Sequence, residues 1–280
     1  MPLSVMLLVL FAALLHAGWN VMVKSGHDKL LDTIAVSVGA AMFALIAIPF
    51  LPLPAPQSYP YLIASVAIHA VYFALVALAY RGGDLSYAYP IMRGSAPLLT
   101  AVFGVLLFGE ALSITGWTGL LILCAGIFTL TRDSWRSGRF SASQTGFAFA
   151  NALVIVAYTL ADGSGVRLSS NAFSYIVWLF FLNALPLLAL GAVRRGRALP
   201  SLLAGRGKII FGGGFCILAA YGVALWAMTL SPIALVAALR ETSVIFGTAI
   251  AALHLKERFG AARYVAAALV CVGAATLKFA

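Results

Sequence analysis

Residues 93–130 read RGSAPLLTAVFGVLLFGEALSITGWTGLLILCAGIFTL, and residues 240–277 read RETSVIFGTAIAALHLKERFGAARYVAAALVCVGAATL. Laid over one another without a gap, they place Arg93 on Arg240, Leu106 on Leu253, Glu110 on Glu257, Cys124 on Cys271, Gly126 on Gly273, Thr129 on Thr276 and Leu130 on Leu277. Two apolar segments share leucine and glycine readily. Arginine, glutamate and cysteine are rare in such segments, so their coincidence points to an internal duplication. Each stretch holds two apolar runs separated by a short polar break around Glu110 or Glu257.

Outward from this pair, the chain resolves into ten apolar runs, at 3–24, 31–53, 60–80, 86–108, 112–131, 144–162, 172–193, 208–230, 233–255 and 261–279. About 20 apolar residues cross a hydrocarbon core, so each run is long enough to span. The breaks are proline-rich (Pro52, Pro54, Pro56, Pro60), glycine- and aspartate-rich (Gly82, Gly83, Asp84) or basic (Arg132 to Arg139, Arg194 to Lys208). Composition agrees: of 280 residues 63% are hydrophobic and 9% charged, against about 25% charged in a soluble domain. The expected fold is an all-α membrane protein of ten transmembrane helices. Five spans per half is an odd number, so the second copy enters the membrane upside down. The expected units are 1–132 and 143–280, two inverted five-helix repeats.

The net charge of +10 would suggest nucleic acid in a soluble protein, but in a membrane protein basic loops set topology, and no nucleic-acid partner is expected. Loops joining spans 1 to 2, 3 to 4, 5 to 6, 7 to 8 and 9 to 10 hold 14 of the 18 lysines and arginines, including Lys24, Arg81, Arg136, Arg195, Lys256 and Arg258. The other side holds only Arg167 and Lys278, and Arg93 and Arg240 fall within spans. By the positive-inside rule the basic side is cytoplasmic and both termini lie outside the cytoplasm. The first run lacks a basic n-region and a cleavage site, so it is expected to stay as a helix. Cys124, Cys216 and Cys271 all sit in apolar runs, with no disulfide or metal-ligand spacing.

The chain resembles the drug/metabolite transporter superfamily, EamA-type family. The resemblance rests on His16, Trp19, Asn20 and Lys24 in the first span. It rests also on Leu107-Phe108-Gly109-Glu110 with Gly116 and Gly126, and on Leu255-Lys256-Glu257 with Gly273, which are similar to the family's LGE followed by a glycine-rich last helix. Lys256 stands where the second-half motif has glycine, and the basic loop between spans 7 and 8 implies an orientation opposite to that of many relatives. The resemblance implies ten helices in two repeats, a bacterial-type inner (plasma) membrane location, and export of amino acids, metabolites or drugs.

Arg93 and Arg240 each lie about eight residues into a span, roughly 12 Å from their own ends of a core about 30 Å thick. On inverted helices both start near the midplane. An arginine there costs at least about 2.5–3.5 kcal/mol on insertion scales, so it is expected to have a role. Guanidinium forks bind a carboxylate, phosphate or phosphonate bidentately. The alternative is a structural lock in which Glu241 reaches Arg93, and the two coexist if substrate competes with Glu241.

His16, Asn20 and Lys24 form a stripe at i, i+4 and i+8 with Trp19 beside it. Asn151, Tyr158 and Asp162 share one face of span 6, and His69, Tyr72 and Tyr80 one face of span 3. The expected substrate-binding set is Arg93, Arg240, His16, Trp19, Asn20, His69, Tyr72, Asn151 and Tyr158. Belt or packing positions are the blander reading of the tyrosines and of Trp19, above all for Tyr80, and a helix-to-helix hydrogen bond that of the histidines. Glu241, His16 and His69 can change charge at accessible pH and are the expected proton-coupling groups. For Glu110 and Glu257 the expected role is to fix the turn into the next helix.

No phosphate-binding G-x-x-x-x-G-K-[ST], no H-E-x-x-H and no nucleophile–base spacing is present. No cofactor and no enzymatic activity are expected. The reading is a secondary carrier, an exporter by the resemblance, moving a small anionic or zwitterionic metabolite by alternating access within the lipid bilayer. The alternatives are a hydrophobic-cation or drug exporter and an intramembrane enzyme.

Overall fold

A computed structural model describes residues 1–79, 85–131, 142–255 and 261–280. Tyr80, Arg81, Arg132, Arg136, Arg139, Lys256, Glu257 and Arg258 lie outside the described residues. Among the described residues twelve α-helices run in chain order: α1 (Leu3–Ser25), α2 (Lys29–Ala47), α3 (Tyr59–Ala79), α4 (Leu85–Phe108), α5 (Ile114–Thr129), α6 (Ala142–Leu168), α7 (Ala172–Arg195), the short α8 (Leu199–Ala204), α9 (Gly214–Met228), α10 (Ile233–Arg240), α11 (Ser243–Leu255) and α12 (Ala261–Leu277). Among the described residues each apolar run of the sequence is mostly helical, in one piece or two, and no strand forms.

Among the described residues seven helical segments are long and apolar enough to cross a membrane: Leu3–Ser25, Lys29–Phe50, Pro90–Phe108, Thr145–Leu168, Ala172–Ala204, Ile209–Met228 and Ile233–Ile250. Ile114–Thr129 and Ala262–Leu277 are shorter apolar helices. Large apolar side chains such as Ile46, Ile63, Leu106, Ile114 and Val193 point outward, as expected where the surrounding solvent is lipid. The protein is an integral, multi-pass membrane protein.

Local chemistry sets the helix ends. Asp28 accepts from the Leu31 amide at 3.0 Å, Ser113 from Gly116 at 3.1 Å and Asn171 from Ser174 at 3.1 Å, satisfying first-turn donors of α2, α5 and α7. The run expected as one helix at 233–255 is broken after Arg240. There the Glu241 and Thr242 amides bond three residues back, to Ala238 and Leu239 at 3.0 and 3.1 Å. This tightened turn makes the span discontinuous at the two residues that follow Arg240. In α4, Pro90 and Pro97 flank Arg93. Proline at 97 cannot donate to the Arg93 carbonyl four residues back, so the helix loses one rung where that arginine sits.

The helices pack as α1 with α9 and α11, α6 with α3 and α4, α2 with α7, α4 with α10, and α5 with α12. Glycines allow close approach at two places in the fold. A methyl at Gly273 would come within 2.6 Å of the Leu123 amide nitrogen, and one at Gly119 within 3.0 Å of the Gly273 carbonyl. The glycine-rich last helices are therefore close-packed backbones, the usual solution in a membrane. On the other flank Gly39 of α2 lies against Gly214 and the π-helical turn Ile209–Gly213, where a methyl at Gly39 would overlap the Ile210 carbonyl.

Candidate functional site

A cavity of about 130 Å³ lies among α1, α2, α3, α4, α6, α7, α9 and α10. It is lined by His16, Trp19 and Asn20 from α1, His69 and Tyr72 from α3, Arg93 from α4, Tyr158 from α6 and Arg240 from α10. Eight of the nine substrate-site residues expected from sequence thus converge. The exception is Asn151. Its side chain is fully buried outside the cavity wall and donates from Nδ2 to the Met92 sulfur at 2.9 Å, a contact between α6 and α4. Thr33, Ser37, Leu187 and Ile217 extend the lining toward the connections at 25–29 and 196–208.

The two arginines are 5% and 6% exposed, and they are held differently. Arg93 Nε lies 2.6 Å from Glu241 Oε2, and its NH2 group donates to Ser243 Oγ at 3.3 Å and faces His16 Nε2 at 3.4 Å. The helix break after Arg240 is what lets Glu241 and Ser243 turn toward α4. Arg240 stacks its guanidinium carbon 4.7 Å from the centroid of the Tyr221 ring. Among the described residues no carboxylate is within ion-pair reach of Arg240. With Arg93 balanced by Glu241, the cavity wall keeps one uncompensated positive charge.

His16 is oriented within its own helix: Trp19 Nε1 donates to His16 Nδ1 at 3.3 Å, and the Asn20 amide donates to the His16 carbonyl at 2.7 Å. His69 Nδ1 is turned back to Ser65, 3.1 Å from its hydroxyl and 2.9 Å from its carbonyl. The imidazole of His69 lies 4.3 Å from the Tyr158 ring, and Tyr158 meets Tyr72 and Tyr221 edge-on at 5.8 and 6.3 Å.

Sequence reasoning missed Tyr221, Phe180 and Asn183, all on the cavity wall. Asn183 and Tyr221 are single polar groups deep in apolar runs, the signal that singled out His69, and Asn183 Oδ1 has no hydrogen-bond partner among the described residues. Glu110 does something other than fix the turn into α5. Its carboxylate accepts from the Ile233 amide at 3.0 and 3.1 Å and pairs with Arg167 at 2.8 Å, so it caps α10 in the other half of the chain. Arg167 also donates to the Met228 and Ser231 carbonyls at 2.7 and 3.0 Å.

The profile of the EamA-like transporter family matches residues 3–132 and 145–278, nearly the whole chain. The chain belongs to the EamA-like transporter family. Fifty residues of this EamA-like transporter, 18% of its length, are 44% identical to the multidrug resistance protein EbrB of Bacillus subtilis (strain 168), and the same holds for that of Bacillus atrophaeus. The match covers 43% of each of these relatives, less than half their length. A solved crystal structure is similar with a TM-score of 0.69 at 18% identity, over 99% of this chain and 96% of that one. At that identity the likeness speaks to the fold of this EamA-like transporter alone.

Proposed function

We propose that the protein is a secondary-active carrier, working as an exporter, that moves a small anionic or zwitterionic metabolite by alternating access between two inverted five-helix repeats, 1–132 and 143–280. The observation that carries the substrate class is the convergence of Arg93 and Arg240 on one cavity with a surplus positive charge. A carboxylate or phosphonate bridges the two guanidiniums by displacing Glu241 from Arg93. Asn183 Oδ1 offers an acceptor for the ammonium of a zwitterion. Cavity size supports a small solute: about 130 Å³ is below the roughly 300–1,000 Å³ of pockets for drug-sized ligands.

Two observations support the inverted repeat. The helix pairings survive exchange of the halves: α1 with α9 mirrors α3 with α6, and α1 with α11 mirrors α4 with α6, while α2 with α7 and α5 with α12 map onto themselves. The Met1 ammonium donates to the Ala280 carbonyl at 3.2 Å, so both termini share a face, which requires an even number of crossings. With the basic face cytoplasmic, that shared face is outside. Proton coupling is assigned to Glu241, His16 and His69, which touch or line the cavity.

The second reading is a hydrophobic-cation exporter. The tyrosines and Phe180 around His69, and the matched segment of EbrB, favour it. Competition of binding by simple carboxylates and phosphonates against quaternary amines, with the protein reconstituted in liposomes, decides between them. Carboxylates and phosphonates are expected to win, and preference for the amines refutes the arginine site.

A further inference from the structure

Beyond the cavity lies a carboxylate that the transport reading does not use. Asp162 is fully buried on α6, where Tyr221 of α9 donates to Oδ2 at 2.7 Å and Tyr175 of α7 donates to Oδ1 at 3.1 Å. Among the described residues no cation lies within ion-pair reach of it. A carboxylate held only by neutral hydroxyls in a membrane interior is costly to keep charged and is cheaply neutralised by a proton.

Its position adds a direction. One helical turn toward the N-terminus, Tyr158 lines the central cavity, as does Tyr221. One turn the other way, Val166 lines a second pocket of about 340 Å³, with Arg167, Ala172, Phe173 and Trp226. That pocket lies at the end of α6 that carries Arg167, away from the 25–29 and 196–208 connections. Asp162 therefore sits between two cavities that approach from opposite faces. The layer is tightly packed: a methyl at Gly163 would come within 2.5 Å of Ile233 Cδ1, and one at Gly165 within 2.5 Å of the Tyr175 hydroxyl. The titratable or charged groups around it are His69 from α3, Tyr175 from α7, Tyr221 from α9, Arg240 of α10 stacked on the Tyr221 ring, and Tyr158 and Arg167 on α6 itself.

We propose that Asp162 is a proton station between the central cavity and the outer pocket, loaded through Tyr221 and discharged through Tyr175. This rests on the proton-coupled reading and extends it past the cavity groups. In loading, the Tyr221 hydroxyl passes its proton to Asp162 Oδ2 while its oxygen takes one from water or His69 on the cavity side. One proton enters, the carboxylate becomes a carboxylic acid, and tyrosine is regenerated. In discharge, the carboxylic acid rotates to carry its proton from the Tyr221 side to the Tyr175 side, and the proton passes to the Tyr175 oxygen as the Tyr175 hydroxyl proton leaves toward the first turn of α7, where Ala172 and Phe173 line the outer pocket. An anion bound at Arg240 acts on Asp162 through Tyr221, whose ring that guanidinium stacks on and whose hydroxyl holds the carboxylate, so anion and proton bind together.

The test starts with ligand-free protein in liposomes, followed by infrared spectroscopy through a pH titration. Wild type is expected to show a protonated-carboxyl band that Asp162→Asn lacks and that Asp162→Glu restores at a shifted frequency. Tyr221→Phe is expected to keep the band and slow loading after a pH jump at least tenfold. If Asp162→Asn does not fold, the Glu and Phe variants carry the test. A purely structural Tyr–Asp–Tyr joint predicts no such band, and identical carboxyl spectra in wild type and Asp162→Asn, or an unshifted band in Asp162→Glu, overturn the proposal. A second arm follows accumulation of labelled methylphosphonate, which stays ionised and does not cross a bilayer unaided, driven by a pH gradient, expected in wild type and lost in Asp162→Asn. Retained accumulation in the Asn variant overturns the station, whereas wild type that ignores methylphosphonate yet shows the Asp162 band refutes the anionic substrate and leaves the station standing.

Discussion

Replacing Glu241 by glutamine separates a substrate-displaceable gate from a permanent lock, because the two make opposite forecasts for binding. The Arg93–Glu241 pair, 2.6 Å long with side chains 6% and 5% exposed, is shielded from solvent. Removing one member of such a pair costs about 3–5 kcal/mol, since the other charge stays buried. The lower end is expected, because Ser243 Oγ at 3.3 Å and His16 Nε2 at 3.4 Å remain beside Arg93. Thermal unfolding in detergent reads this loss. For binding, an anion reaching Arg93 in wild type must first displace Glu241. Deleting that charge-assisted hydrogen bond removes a competitor worth about 1.5–3 kcal/mol, which is roughly 10- to 150-fold tighter binding. Calorimetry or quenching of Trp19 fluorescence with a simple carboxylate measures it. Glu241→Gln that is less stable but binds the carboxylate no better than wild type refutes the competition and leaves a lock. The same variant is expected to lose accumulation driven by a pH gradient, since glutamine takes up no proton.

Glu110→Ala removes the acceptor at the start of α10 and the partner of Arg167, and is expected to cost about 1–2 kcal/mol, read as a lowered unfolding midpoint with Glu110→Gln intermediate. Gly39→Ala forces α2 away from the Ile210 carbonyl; the expected destabilisation is about 1–3 kcal/mol or more, measured the same way, and an unchanged midpoint would show that α2 and α9 separate freely. A reporter active only in the cytoplasm is expected to be silent at the C-terminus and active when inserted near Gly196. The reverse pattern would show that the outside face carries the basic loops.

The helices were legible because hydropathy averages over some twenty residues, and a run such as 172–193 leaves no competing structure. The break after Arg240 was not, since Glu241 and Thr242 are no strong helix breakers, and the tightened turn depends on Glu241 finding Arg93 on another helix. Arg93, Arg240, His16 and His69 were legible through cost: a polar group deep in an apolar run must be used. Applied evenly, the same argument reaches Asn183 and Tyr221. It overreaches at Asn151, where the amide finds the Met92 sulfur instead of a cavity. Partners across the fold stay hidden, because that Glu110 caps α10 or that two tyrosines hold Asp162 depends on which helices adjoin. Sequence spacing gives faces of helices, and only packing gives their neighbours.

That packing distributes closure unequally between the two faces. On the face of the basic connections, Asp28 pairs with Arg195, and Asp32 with Arg206. The Asp28 and Arg195 side chains are 29% and 39% exposed, and such a pair contributes at most about 1 kcal/mol. Asp32 is fully buried against Gly26, so the stronger constraint there is a single carboxylate that needs Arg206. On the opposite face, Glu110 ties Arg167 to the start of α10, and the Asp162 layer joins α6, α7 and α9 behind it. Among the described residues there are two independent ties there against one buried tie here, and the cavity lining extends toward the basic connections. In the alternating-access cycle proposed above, turning the site toward the face of Arg167 is expected to require the Glu110 cap and the Asp162 layer to loosen together. A solute bound near Arg240 bears on that layer through the Tyr221 ring, and a differential affinity of 1.4 kcal/mol between the two states shifts their ratio about tenfold. In the carrier proposed above, the link from substrate to gate is expected to run along Arg240, Tyr221 and Asp162, the first stacked on the tyrosine ring and the last held by its hydroxyl.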